Sequence, residues 1–327
     1  MGDILMSGVS QGLIWAILAL GVYISYRILD FADLTCEGCI TIGAAVAALL
    51  IWKSVNPIVA VLISFVAGCC AGIVTGLLHT KLKIPPILAG ILTMISLYSI
   101  NIHIMSVATD VQGTANLSLL KYNSNVLYSK ISKLLGMNKM SSSIILGVVI
   151  CLAVMGLLYL FFGTEIGSSI RATGNNEKMC RAQGIDTDLT KIIGLALSNG
   201  LIAMSGALLC QYQGYAEVNM GVGSIVIGLA SIIIGEAIFS KAKNFFFKLL
   251  GIVVGSIIYR VVVALVIFSG MPSTDLKLMT AVVVIAALCL TGALNKFKKK
   301  SSAAASSKKE HKNKPQENTP KEESENG

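Results

Sequence analysis

Apolar residues in this chain fall into runs of about 17 to 22, separated by short segments that hold most of the Lys and Arg. A bilayer core takes roughly 20 apolar residues in helical form, because backbone groups surrounded by lipid must bond within their own segment. The pattern predicts an all-α polytopic membrane protein with about nine transmembrane helices, eight to ten being compatible with the fuzzy ends. The runs are 7–25, 36–52, 57–78, 86–107, 143–162, 192–210, 223–239, 247–268 and 276–293. The run 223–239 is short, and Gly221, Gly223, Gly228 and Gly235 invite a broken or re-entrant helix there.

Placement of the cations orients the bundle, since short loops rich in Lys and Arg stay on the cytoplasmic side. Arg27, Lys81 with Lys83, the segment Arg171 to Lys191, Lys241/Lys243/Lys248 and the C-terminal tail all fall on one face when nine spans alternate. The N-terminus is then outside and the C-terminus cytoplasmic. Residues 1–295 read as a transmembrane domain with an external loop at 108–142 and a cytoplasmic loop at 163–191; residues 296–327 read as a Lys/Glu-rich cytoplasmic tail. From Ser301 onward that tail lacks the apolar residues needed to offset ordering entropy, so it is expected to be disordered. In the external loop, Val126, Leu127, Ile131, Leu134 and Leu135 recur at near-helical spacing. They predict an amphipathic helix within Asn125 to Met137, either lying in the interface or forming a docking surface. Gly68, Gly72 and Gly76, and again Gly251 with Gly255, have the spacing that lets two membrane helices approach closely.

Composition agrees with the pattern and narrows the function classes. Hydrophobic residues are 54% and charged residues 13% of 327 positions, with a mean hydropathy of +0.77; a soluble domain carries about 25% charged residues. Of the net charge of +9, the nine Lys and five Glu after Asn295 supply +4. The basic end therefore suits an anionic lipid surface, and no basic patch interleaved with aromatics points to nucleic acid. Cys69, Cys70, Cys151, Cys210 and Cys289 sit inside apolar runs as small hydrophobes. Cys36 and Cys39 form a CxxC without a second pair or a His at zinc spacing, and read as small residues at a helix start. The N-terminal run lacks the basic region and cleavage site of a signal peptide. The three His (His79, His103, His311) are scattered, no catalytic or metal constellation emerges, and no cofactor is implied.

The loop Gly163 to Lys191 is too long for a tight hairpin and holds its own helix. Asn175 or Asn176 can cap its start, Glu177 and Arg181 form an i,i+4 pair, and Gly184 can close its end, with Gln183 just before it. Met179 and Ala182 are too few apolar groups to demand burial. A short capped helix held outside the membrane suits insertion into a groove on a second protein, against the plainer reading of an amphiphilic connector.

Four stretches, in order, carry a resemblance: Gly12 to Leu50 (GLIWAILALGVYISYRILDFADLTCEGCITIGAAVAALL), Arg171 to Ile185 (RATGNNEKMCRAQGI), Gly194 to Leu209 and Gly221 to Phe239. The chain resembles the membrane permeases of ATP-binding-cassette importers of the branched-chain amino acid and ribose type, over about residues 8 to 295. The wording FADLTCEGC is similar to a subgroup labelled as tryptophan/tyrosine transport permeases, although Cys36 to Cys39 departs from the polar turn of the amino acid permeases proper. The resemblance implies a permease subunit with no enzymatic activity of its own. Its expected partners are cytoplasmic ATPase subunits, an external solute-binding lipoprotein and a second permease subunit as a homodimer. It implies ATPase coupling through Arg171, Asn175, Asn176, Glu177, Arg181, Gln183 and Gly184, and transport of a small solute, an amino acid or an aromatic one. No G-x4-G-K-[ST] run is present, so ATP hydrolysis falls to another chain.

Charges at membrane depth need a partner, a water-filled cavity or an interface. Arg260 lies inside its span, and pairing with Asp33, Glu37 or Glu236, or exposure to the pore, would account for it. Thr35, Thr41, Ser96, Asn101 and Ser205 are candidate pore-lining residues; His103 and Asn199 are further polar groups in apolar spans. The cluster from Gln211 to Asn219 reads as an interface belt or as the mouth of the pore. An ion-coupled secondary transporter is the competing reading, but it calls for acids at the midplane of two matching halves, which the sequence lacks.

Overall fold

The computed structural model describes residues 2–268, except 110, 137 and 240–243, together with scattered helical positions between 278 and 285. Seven helices among the described residues are long and apolar enough to cross a membrane. They are α1 (Gly2–Val22), which continues as a π-helical turn over Tyr23–Ile28, α2 (Thr35–Trp52), α3 (Pro57–Thr80), α4 (Pro86–Thr109), α6 (Lys139–Gly163), α9 (Thr187–Gln213) and α11 (Phe245–Phe268). A shorter apolar helix, α10 (Ser224–Ile238), runs for 15 residues. Three short helices sit at the ends of the bundle: α5 (Leu127–Leu135), α7 (Glu165–Asn175) and α8 (Glu177–Ala182). The expected span 276–293 lies almost wholly outside the described residues, as do Lys241, Lys243 and the tail 296–327.

Local chemistry fixes most boundaries. Asn56 accepts from the Ile58 amide ahead of Pro57 at the first turn of α3, the combination that satisfies an orphan N–H where proline has none to offer. Asp186 caps both the Asp188 and Leu189 amides to open α9, and Gly214 in the left-handed region (φ 81°) closes it. The chain leaves α1 through the π-helical turn, reverses at Asp30 (φ 54°) and begins α2 beneath Asp33.

Helix α9 is the axis of the bundle, packed against α1, α2 and α3. Gly68, Gly72 and Gly76 of α3 face Asn199, Leu195 with Ala196, and Ile192 of α9, where an added Cβ would strike backbone atoms. Gly251 and Gly255 of α11 do the same against Gly235 and Ser231 of α10. Lipid tails are as apolar as leucine, so it is this close approach that holds such pairs together.

The bundle has two chemically distinct ends. One, the basic end, gathers Arg27, His79, the α7–α8 segment, Glu236 and Lys248. The other carries a small antiparallel sheet, β1 (Asn116–Ser118) paired with β2 (Tyr215–Glu217), which the all-helical expectation did not contain. The amphipathic helix expected in the 108–142 loop is α5, but its start packs onto protein. Val126, Leu127 and Tyr128 are buried, the Leu127 amide donates to Gln211 Oε1 at 3.0 Å, and Tyr128 meets Tyr212 edge-on. Gln211 and Tyr212, read as belt or mouth, thus act as the seat for this cap.

Candidate functional site

Between α2, α4 and the non-helical segment 218–222 lies a cleft of about 280 Å³, with Glu37, Thr41, Tyr98, Asn101 and Val218 among its walls. Its level follows from α4, whose wall residues Met94, Ile95, Tyr98 and Asn101 all lie at least about 12 Å from the nearer helix end at 1.5 Å per residue. The cleft therefore sits at mid-depth of the apolar slab and sets Glu37 there, an acid at a depth where the sequence reading expected none. Helix α10 begins at the same level. The Gly223 amide, at its start, donates to Glu37 Oε1 at 2.9 Å, so the carboxylate rests on the positive end of that helix. Gly221 lies against the Glu37 carbonyl, leaving no room for a side chain. The glycines that weakened the run 223–239 are what allow backbone to lie at this depth, where it borders a cavity and not lipid.

Thr41 donates to the Glu37 and Val218 carbonyls, both at 3.3 Å. Asn101 is 1% exposed; its Nδ2 donates to the Gly38 carbonyl at 3.4 Å, while its Oδ1 has no partner. One turn below, Asp33 is buried and accepts from the Thr35 amide at 2.9 Å and from Asn199 Nδ2 at 2.7 Å. Thr35, Thr75 and Thr93 extend this network through hydroxyl contacts of 2.8 and 3.0 Å.

Of the five candidate pore-lining residues, Thr41 and Asn101 border the cleft. Thr35 is sealed inside the Asp33 network, and Ser205 is spent on the Ile14 carbonyl in the α1–α9 contact. Ser96 is exposed on α4 with its hydroxyl returned to Leu92 of its own helix. The expected acid partner of Arg260 is not found among the described residues. Asp33 and Glu37 are engaged as above, and Glu236 pairs with Arg27 at 2.9 Å at the basic end. Arg260 instead stacks on the Trp15 ring at 4.1 Å, its Nε without an acceptor. A ring face meets a guanidinium where no carboxylate reaches its level.

At the basic end the loop 163–191 forms two helices where one was expected. Thr164 caps α7 through the Gly167 amide, and Asn176 caps α8 through the Met179 amide; a cap of this kind is worth about 1 kcal/mol. Asn175 ends α7, Gln183 follows α8, and Gly184 (φ 82°) turns the chain toward α9. Arg181 binds Glu177 at 2.9 Å, Asp188 at 3.1 Å and Thr187 at 2.7 Å, while Lys191 binds Glu177 at 2.8 Å and approaches His79. The Lys191 ammonium, and then Arg181, hold the Glu177 carboxyl below its usual range. Within α8, Cys180 is buried and Met179 stays exposed. Arg171 takes a separate place: it lies over the Phe162 and Phe245 rings and donates to the Phe162 carbonyl.

The sequence readings missed Tyr98, Val218 and Trp15, whose roles depend on which helices become neighbours. The glycines around 221–223 were the available signal for the cleft.

Comparison with known proteins agrees with this architecture. A family model described as "Branched-chain amino acid transport system / permease component" matches residues 4–288. The tyrosine transport system permease protein of Clostridioides difficile (strain R20291) is 41% identical over 89% of this chain and 92% of its own length. The uncharacterized protein RP368 of Rickettsia prowazekii (strain Madrid E) is 30% identical over 88% of the chain and 97% of its own. The ribose import permease protein RbsC of Escherichia coli (strain K12) is 25% identical over 58% of the chain and 56% of its own. No solved structure matches the chain.

Proposed function

Because the chain belongs to the family of branched-chain amino acid transport permease components, as a multi-pass membrane protein, we propose that it is the transmembrane subunit of an ATP-binding-cassette importer. In this reading it carries a small solute, an aromatic amino acid of the kind named for its relative at 41% identity, by ATP-driven alternating access. Its partners are cytoplasmic ATPase subunits, an external solute-binding lipoprotein and a second copy of the chain. The basic end is cytoplasmic, as the positive-inside rule expects.

One observation supports this most: α8 is an exposed, capped helix clamped to a rod, α9, that grips the helix walling the cleft. Arg181 and Lys191 tie α8 to the first turn of α9. Eight residues further along α9, Asn199 grips Asp33 at the start of α2, about 12 Å deeper. Ala203 then lies against Gly43 of the same helix. A push on α8 from an ATPase is therefore felt at the segment that begins the Glu37 wall. Tight helix contacts of this sort switch between discrete packings, and a nucleotide-driven partner biases them only through contacts that differ between the two states.

Membrane vesicles holding the chain with its ATPase and binding protein are expected to take up tyrosine when ATP is supplied. Replacing residues 176–183 by a Gly/Ser linker should abolish that uptake while the chain still inserts. Uptake driven by an ion gradient with no ATPase present would refute the proposal.

A further inference from the structure

We infer that the mid-depth cleft is a recognition site for a primary ammonium group, with the Glu37 carboxylate and Asn101 Oδ1 as its acceptors. The inference rests on the permease reading and adds what the passage selects. Glu37 lies at membrane depth and takes part in none of the ion pairs among the described residues. The Gly223 amide occupies Oε1 only, so lone pairs on the carboxylate remain open toward the cleft.

Asn101 supplies the second, independent sign. Its Oδ1 is buried and unpartnered, an arrangement that is costly unless something fills it. Turning the amide over would set oxygen against the Gly38 carbonyl, so the Nδ2 contact fixes the acceptor on the other side. Thr41 has already given its hydroxyl proton to backbone carbonyls and offers only lone pairs. The Glu37 carboxylate, Asn101 Oδ1 and the Thr41 oxygen are thus acceptors, and besides the second Nδ2 hydrogen of Asn101 the side-chain donors come from the exposed rim, at Tyr98 and Asn219. An ammonium has three donors and no acceptor, and matches that set; a sugar hydroxyl can donate there too but brings acceptors that meet few donors. Met94, Ile95 and Val222 give the apolar wall for the rest of the solute. At about 280 Å³ the space is close to the lower bound of ordinary ligand sites, about 300 Å³.

The test uses the purified complex of this chain with its ATPase, without the binding protein, and follows thermal unfolding. Tyramine carries the ammonium and lacks the carboxylate; 3-(4-hydroxyphenyl)propionate is the reverse. Tyramine is expected to raise the unfolding temperature and the propionate to leave it unchanged. Glu37→Gln keeps an oxygen for the Gly223 amide and should weaken tyramine by about tenfold or more, as sites built around a hydrogen-bonding group do when that match is lost. Should Glu37→Gln fail to fold, Asn101→Leu carries the same expectation from the opposite wall. Exchange of Na⁺ for choline separates an organic ammonium from a metal cation. An equal response to the propionate, undiminished tyramine binding in a folded variant, or a response to Na⁺ alone would overturn the inference. If the wild-type complex lacks ATP-driven uptake, the permease reading fails even where tyramine binds; if uptake stands and tyramine does not bind, this inference alone fails.

Discussion

Glu177 receives Lys191 and Arg181 at once, and the sign of its pH response follows from that. A carboxyl held below its ordinary range in the folded state stabilises at every pH above its unfolded value, and that stabilisation is lost as pH falls through the folded one. The Glu177 contribution to the α8–α9 junction is therefore expected to be constant with pH near neutrality. Below the ordinary glutamate range of about 4.3 the junction should loosen progressively. Amide exchange over residues 177–191 should accelerate across that acid window in the wild type and show no such step in Glu177→Gln. The Glu177–Arg181 pair, the Asn176 cap and the Gly184 turn were legible in sequence because each spans at most a few residues. Arg171 was not, since its aromatic seat includes Phe245, on another helix. Arg260 shows the same limit: the cost of its charge at depth was plain, but Trp15 as the answer depends on α1 lying beside α11.

Between elements, spacing was more informative than identity. The stripe Gly68, Gly72, Gly76 announced a close helix contact, and the structure supplies α9 as the partner. Gly72→Leu would drive a side chain into the backbone at Leu195 and Ala196. Overpacking of this kind costs about 1–3 kcal/mol, and Asn199 would be drawn off Asp33 with it. A lower unfolding temperature of the purified protein is the expected outcome, and an unchanged one would show that α3 and α9 separate freely. The break before α10 was signalled by Gly221 and Gly223, but not its purpose: the helix starts deep because Glu37 closes its N-terminus. Likewise the helical period of α5 was visible, whereas its cover was not. Gln211, which holds it, comes 84 residues later in the chain.

At the scale of the whole molecule, alternation of charge with apolar runs gave the two ends, and the structure assembles each of them from distant segments. His79, Glu177 and Lys191 meet at one end, and Asn116 with Glu217 at the other. What links the ends is less visible in sequence. It is the line from α8 through α9 to α2, in which Asn199 and Asp33 are separated by 166 residues. A single polar residue in an apolar run carries no mark of its distant partner. That is why Thr41 and Asn101 look no different in sequence from Thr35 and Ser205.

The π-helical turn at Tyr23–Ile28 also sets a counting rule for the chain. Such a turn holds one residue more than the α-helix it interrupts. Removing one residue there would restore ordinary winding and leave everything before Tyr23 in place. Everything after it would shift by about 100° and about 1.5 Å. Asp33 would no longer meet Asn199, and the phase between the first helix and the second would be lost. A one-residue deletion within 23–28 should thus abolish transport in a chain that still inserts, whereas a deletion in the exposed 111–113 stretch should be tolerated. Uptake and membrane yield, measured side by side, decide it.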